Sequence, residues 1–427
     1  MNDTALSPLR RALCLAALVI AGEAIFGLPF IIARVFRPTL LDVFGITNLE
    51  LGGAMAVYGV AAIIAYFPGG PIADRFPARR LMTASLVSTA LGGLWFAQIP
   101  SLRGLQVLYA LWGLTTILLF WAALVRATRE WGRAGSQGTA YGLVDSGRGL
   151  FAAVLVSVCV ALLGALLPDD PATATLAERT AALRTVIYIF GGITLFAGAL
   201  IWFILPDGSL RPNDADAAAR AVHFADVGRV VRNPAVWLQG VIVVAAYVGY
   251  KGIDDLGLYA RDAFGFDDVK AATVGTVAFW VRPVAALGAG VVGDRVGAAP
   301  TIMLCFLLMA AGYGVFALDV LDPTAPWMLF AAVVPTVAFV YSLRGLYFAI
   351  FGDAGIPTAL TGTAAGLVSV VGYTPDIFMG PMMGWMTDTW PGVLGHRVLF
   401  GTVAGTALLG LVCTVAFRLL TRKRAAA

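Results

Sequence analysis

The chain has 427 residues, 59% of them hydrophobic and 13% charged, with a formal net charge of +4 and a mean hydropathy of +0.86. This composition excludes an ordinary soluble globular domain and predicts an integral membrane protein. The apolar runs are too long for barrel strands, which show about ten residues of alternating polarity, so the expected class is all-α.

A helix needs about 20 apolar residues to cross the hydrocarbon. In chain order, twelve runs meet that length: 11–35, 52–72, 80–99, 104–126, 136–166, 184–205, 235–256, 271–293, 299–320, 326–347, 359–387 and 396–419. The first is too long for a signal-peptide core and reads as a retained helix.

Arginine explains the basic balance without nucleic acid. Arg10 and Arg11 precede the first run, Arg75, Arg79 and Arg80 follow the second, and Arg126, Arg129 and Arg133 follow the fourth. Arg211, Arg220, Arg229 and Arg232 lie between the sixth and seventh runs, and Arg422, Lys423 and Arg424 follow the last. The positive-inside rule then puts both termini on the cytoplasmic face of a multi-pass protein. A bacterial inner membrane is the expected location.

The stretch 206–234 reads as a polar linker between residues 1–205 and 235–427, and its "AARAVHFADVGRVV" is amphipathic enough to lie at a membrane surface. Cys14, Cys159, Cys305 and Cys413 fall in four different apolar runs without metal-ligand spacing. They read as packing residues, and no metal or cofactor is expected.

The two halves repeat. "DVFG" at Asp42–Gly45 aligns with "DAFG" at Asp262–Gly265, and Gly70, Asp74 and Arg75 align with Gly290, Asp294 and Arg295, both at an offset of 220. "GTAYGL" from Gly138 matches "GTAAGL" from Gly362 at an offset of 224. Six spans return the chain to its starting face, so the halves are parallel repeats about an axis along the membrane normal.

A Gly-x-x-x-Asp-Arg-x-Gly signature between the second and third runs, repeated between the eighth and ninth, resembles the major facilitator superfamily of secondary transporters. Gly290, Asp294, Arg295 and Gly297 match in full; Gly70, Asp74, Arg75, Arg79 and Arg80 match in the first half, with Pro77 where the pattern has glycine. The resemblance implies twelve helices as two six-helix bundles, and a conformational latch at these residues that holds the inner face closed when the cavity faces outward. Its glycines would let neighbouring helices approach closely. "YFPGGPIADRF" and "IIARVFRPTL" resemble the branch of organophosphate antiporters and sugar-phosphate sensors. The Gly-Trp-Gly-Asn signature of nitrate carriers is absent.

An ionisable side chain inside a membrane helix costs at least about 2.5 kcal/mol near the centre and is by default a functional candidate. At 1.5 Å per residue, Glu23, Arg148 and Arg282 fall near mid-bilayer. Asp145 is three residues before Arg148 and within its reach. Glu23 has no charged neighbour in its own helix before Arg34, and desolvation favours the neutral form of such a carboxyl, which suits a proton carrier. Arg282 precedes Pro283, where the helix loses a backbone bond; its permanent charge calls for a carboxylate or an anionic substrate.

The seventh run, "VAAYVGYKGIDDLGLY", adds Tyr247, Tyr250 and Lys251, the last within reach of Asp255. The eleventh, "VVGYTPDIFMGP", adds Tyr373 and Asp376 around Pro375. Arg34 and Arg37 fall at the outer rim, and Arg126 and Arg344 near inner helix ends, positions for gating or topology. Phe120 and Trp121 line a cavity or pack.

These residues predict a proton-coupled or exchange carrier of a small organic anion that works by alternating access. Arg148, Arg282, Tyr247, Tyr250, Lys251 and Tyr373 are the expected substrate contacts, and Glu23, Asp145 and Asp376 the expected proton-coupling groups. Guanidinium binds carboxylate or phosphate in a two-point fork. The alternatives are a zwitterionic or neutral solute such as an amino acid, and a non-transporting sensor. No His-rich cluster, nucleophile elbow or cofactor loop points to an enzyme. The expected partners are the substrate, a proton and lipid, with the chain a monomer.

Overall fold

A computed structural model describes residues 8–131, 137–206, 228, 230–350 and 361–426. Most of the sequence's linker 206–234 lies outside these residues. The described residues are helical, with no strand among them.

We label the helices α1 to α12. α1 is Pro8–Phe26, continued by a π-helical Gly27–Ile31 and by Ile32–Val35. α2 is Asn48–Arg75, α3 Ala78–Phe96, and α4 Leu102–Leu114 with a π-helical Thr115–Trp121 and Ala122–Trp131. α5 is Gln137–Leu166, α6 Leu176–Ile204, and α7 Pro234–Gly252 with Leu256–Phe264 beyond a single tighter turn. α8 is Asp268–Val296, α9 Ala298–Ala317 and α10 Pro326–Leu346. α11 is Thr361–Gly372 with Pro375–Thr389, and α12 Val393–Ala426.

Ten of these stretches are long and apolar enough to cross a membrane. The other two have local reasons to fall short: α3 opens on Arg79 and Arg80, and α11 is interrupted at Tyr373–Thr374. Phe67 on α2, Phe203 on α6 and Val284 on α8 are each at least 70% exposed. Large exposed apolar side chains of this kind suit lipid rather than water.

Helix ends follow from short polar signals. Thr47 and Glu50 form a reciprocal capping box at the start of α2, with Thr47 N–H donating to Glu50 Oε2 at 2.9 Å and Glu50 N–H to Thr47 Oγ1 at 3.2 Å. Thr175 and Glu178 do the same for α6. The repeated "DxFG" has one physical meaning in both halves. Gly45 at φ +60° and Gly265 at φ +63° each end a short helix in the left-handed conformation, which a side chain would strain.

The chain forms two compact units. One comprises Met1–Ser209, Asp254–Pro283 and Gly380–Trp385; the other Leu210–Ile253, Val284–Met379 and Met386–Ala427. In the first, α1 packs on α5 and α6, and α3 on α6. In the second, α7 packs on α11 and α12, and α9 on α12. The same pairings recur six helices later, as a duplicated sequence requires. The core of the first unit includes Trp112, Phe190 and Tyr109, with a second cluster around Leu86, Phe120 and Ile201.

Candidate functional site

Within the first unit, Glu23, Asp145, Arg148 and Arg282 meet. Glu23, only 3% exposed, accepts from Arg148 Nε at 3.1 Å on Oε2 and from Arg282 Nη1 at 3.0 Å on Oε1. Asp145 Oδ1 lies 3.7 Å from Arg148 Nη1 and 3.5 Å from Arg282 Nη2. Two guanidinium ions therefore face two carboxylates, one buried and one exposed.

Small residues make room for the long cationic stems. A Cβ on Gly22 would meet Arg148 Cδ at 3.1 Å, and one on Gly149 would meet Arg282 Cδ at 3.4 Å. The Arg148 guanidinium also lies 5.7 Å from the Phe26 ring centroid and 5.9 Å from that of Trp121. Phe26 immediately precedes the π-helical turn of α1, and Trp121 closes that of α4. Inserted turns of this kind re-aim side chains and are frequent at functional sites. Of the neighbours Phe120 and Trp121, Phe120 is fully buried in the core while Trp121 faces Arg148. α8 stays helical through Pro283.

The second unit holds another predicted group. Tyr247 donates its hydroxyl to Asp376 at 3.0 and 3.2 Å, and Lys251 Nζ, almost fully buried, lies 3.3 Å from Asp376 Oδ1. Tyr373 packs edge-on against Tyr247 with centroids 5.2 Å apart, and Tyr250 lies 5.4 Å from Tyr247. The interruption of α11 sets Tyr373 just before the break and Asp376 just after Pro375, so both meet α7. Sequence spacing offered Asp255 as the partner of Lys251; the structure adds Asp376.

Arg344 is the member that sequence reasoning missed. Its guanidinium lies 3.8 Å from the Tyr250 centroid and 5.6 Å from that of Tyr247. Tyr341 and Tyr347 complete the group, 6.1 Å from Tyr250 and 3.5 Å (hydroxyl to hydroxyl) from Tyr373. A place in the last turn of a helix reads as topology in sequence; the long side chain carries the charge back over the rings.

At the Asn48 end of α2, the first unit has a third polar cluster. Arg34 pairs with Asp254, and both are buried. Asp42 accepts from Arg179 at 3.0 Å and from Arg261 at 3.2 Å, while Arg179 also reaches Asp268 at 3.1 Å. Thr39 donates to Asp268 at 3.0 Å. Arg37 is fully buried and donates to Asn48 Oδ1 at 2.8 Å. Arg34 and Arg37 are both buried.

The first-half signature residues lie at the opposite end of α2, about 42 Å away for 28 residues at 1.5 Å each. Arg79 stacks over Trp202 at 4.4 Å, and Arg75 is exposed, as are Asp294 and Arg295. The side chain of Asp74 lies outside the described residues. Among the described residues, a Cβ on Gly70 or Gly290 would meet no atom within 4 Å. Helices approach closely at Gly52, where an added Cβ would overlap the Gly380 carbonyl. Gly297 opens α9 at φ +99°, while Pro77, locked at φ −57°, opens α3 from a different backbone.

A family model of the Major Facilitator Superfamily matches residues 18–374. The inner membrane protein YqcE of Escherichia coli is 27% identical over 424 residues, covering 98% of this chain and 96% of that one. The probable nitrate/nitrite antiporter NarK1 of Thermus thermophilus is 24% identical over 374 residues, covering 82% and 79%. The crystal structure of a bacterial homolog of the human lysosomal transporter Spinster superposes with a TM-score of 0.73 at 14% identity, covering 98% of each chain. The match over most of the sequence, the helical architecture and the repeated signature lead to one conclusion: this chain belongs to the Major Facilitator Superfamily and is a membrane transporter rather than an enzyme.

Proposed function

We propose that this protein carries a small organic anion of the carboxylate or phosphate type across the bacterial inner membrane by alternating access, coupled to a proton or to a counter-solute. The observation that carries this reading is Glu23 held between Arg148 and Arg282. With Glu23 charged, the group of two arginines and two carboxylates is neutral. Protonation of Glu23 removes one negative charge from beside Arg148 and Arg282, leaving Asp145 as the charged carboxylate of this group.

Uncompensated buried charge is costly, so a protonated Glu23 favours the entry of one anion. The guanidinium fork can then take its oxyanion in two-point geometry. Proton and anion arrive together, and loss of the proton lets Glu23 displace the anion. The relative named as a probable nitrate/nitrite antiporter supports an anionic cargo, and the relative named as an inner membrane protein supports the location.

On this reading both termini are cytoplasmic, the halves are 1–205 and 235–427, and the linker is 206–234. The Asp74/Asp294 signatures latch the cytoplasmic end. The cluster of Arg34, Asp42, Arg179, Asp254, Arg261 and Asp268 closes the other.

The test is flux into proteoliposomes under an imposed proton gradient, with inorganic phosphate, a set of carboxylates, amino acids and neutral sugars as candidate cargo. Gradient-driven uptake of an anion supports the reading, and transport confined to neutral solutes contradicts it. A zwitterionic cargo is the second reading, favoured by the Lys251–Asp376 pair, which presents both signs of charge; uptake restricted to amino acids would select it.

A further inference from the structure

Arg344 differs from the other interior arginines in what surrounds it. The donors of Arg148 and Arg282 reach Glu23, and Arg34 has Asp254. Among the described residues no carboxylate pairs with Arg344, and none of its N–H groups has a protein acceptor. Its contacts are ring faces: Tyr250 at 3.8 Å and Tyr247 at 5.6 Å. Among the described residues, the carboxylate of this group, Asp376, is engaged by Lys251 and by the Tyr247 hydroxyl.

A guanidinium lying over an aromatic ring uses its face and leaves its five in-plane donors for an acceptor at the edge. The ring supplies part of the stabilisation of the charge, but none of the hydrogen bonds. Arg344 is half-buried. The Tyr373 and Tyr347 hydroxyls, 3.5 Å apart, add neutral donors to the same group.

We propose that Arg344, oriented by Tyr250 and Tyr247, is an anion-binding site for one compact oxyanion of the carboxylate or phosphate type. It rests on the reading that the chain carries anions, and it adds a site within the second unit that needs no prior protonation of Glu23. The anion docks on Arg344 while Arg148 and Arg282 are still held by Glu23. Tyr250 fixes the guanidinium plane, and a cargo with a ring or hydroxyl groups gains contacts with the surrounding tyrosines.

The experiment is thermal stabilisation of the purified full chain at pH 8 by inorganic phosphate, sulfate, acetate and gluconate, titrated separately. It compares wild type with Arg344→Gln and Arg344→Lys. The expected result is stabilisation of the wild type by at least one of these anions. Apparent affinity falls about 10- to 100-fold in Arg344→Gln, as loss of charged hydrogen bonds implies, and partly in Arg344→Lys.

If Arg344→Gln unfolds, the Arg344→Lys protein decides. Wild-type affinity in either folded Arg344 variant overturns the Arg344 site and leaves the anion-carrier reading standing. Failure of every anion to stabilise the wild type, in a protein that takes up another solute in vesicles, overturns both.

Discussion

Arg34 and Asp254 form a buried ion pair across 220 residues of sequence, and 220 is also the offset that superposes Asp42 on Asp262 and Asp74 on Asp294. The two partners therefore occupy equivalent positions in the two halves of the repeat and carry opposite charges. Arg261 and Asp42, which also pair, are one residue away from the same equivalence. A duplicated chain whose copies diverged to opposite sign at one site gains an ion pair between the copies.

This pair makes the first prediction. Breaking a buried ion pair costs about 3–5 kcal/mol because the remaining charge is left uncompensated. Arg34→Ala and Asp254→Ala should each lower the midpoint of thermal unfolding and slow transport. The exchange Arg34→Asp with Asp254→Arg should recover a large part of both. Losses in the exchanged protein as large as the sum of the single changes would show that the partners do not act as a pair.

The signature residues make the second. Asp294 is exposed at the end of α8, so Asp294→Asn should leave unfolding temperature and anion affinity near wild type. If it acts by holding one conformation, it changes the equilibrium between states and slows transport. Unchanged flux in Asp294→Asn and in Asp74→Asn, in vesicles matched for protein content, would reduce these residues to topological charges.

Arg282 makes the third. Lysine keeps the charge but loses the planar fork, and one lost charge-assisted hydrogen bond is worth about 1.5–3 kcal/mol. Arg282→Lys should raise the KM for anion uptake by roughly one order of magnitude or more at 1.4 kcal/mol per tenfold, with the protein still folded. A KM unchanged within twofold would remove Arg282 from anion recognition.

Much of this site was legible before the structure, because charge inside an apolar run is rare and each instance stands out. Glu23, Asp145, Arg148 and Arg282 are all visible in that way, and so are Lys251 and Asp376. Partnership was not visible. Glu23 meets residues 125 and 259 positions away, whereas single-helix spacing can offer only i+3 and i+4 neighbours. For Lys251 that spacing pointed to Asp255 and missed Asp376.

Arg344 does not stand out in the sequence for another reason. Its Cα lies in the last turn of α10, but the side chain is long enough to place its charge well away from its own backbone. The repeat also held an unread signal. Overlaying the halves at the offset of 220 puts Arg34 on Asp254, and opposite charges at equivalent positions of a parallel repeat are candidates to meet. In sequence the "DxFG" anchors carry homology alone. Their physical content, two left-handed glycine caps at Gly45 and Gly265, needed backbone angles.

The measurement closest to the central claim is proton-driven anion uptake by Glu23→Gln in proteoliposomes, set beside anion exchange in the same vesicles. Glutamine keeps the shape of a protonated glutamate and cannot release a proton, so Arg148 and Arg282 stay available to the anion while coupling is lost. The account predicts that accumulation driven by the proton gradient disappears and that exchange of internal for external anion continues. Undiminished proton-driven accumulation in Glu23→Gln would contradict it.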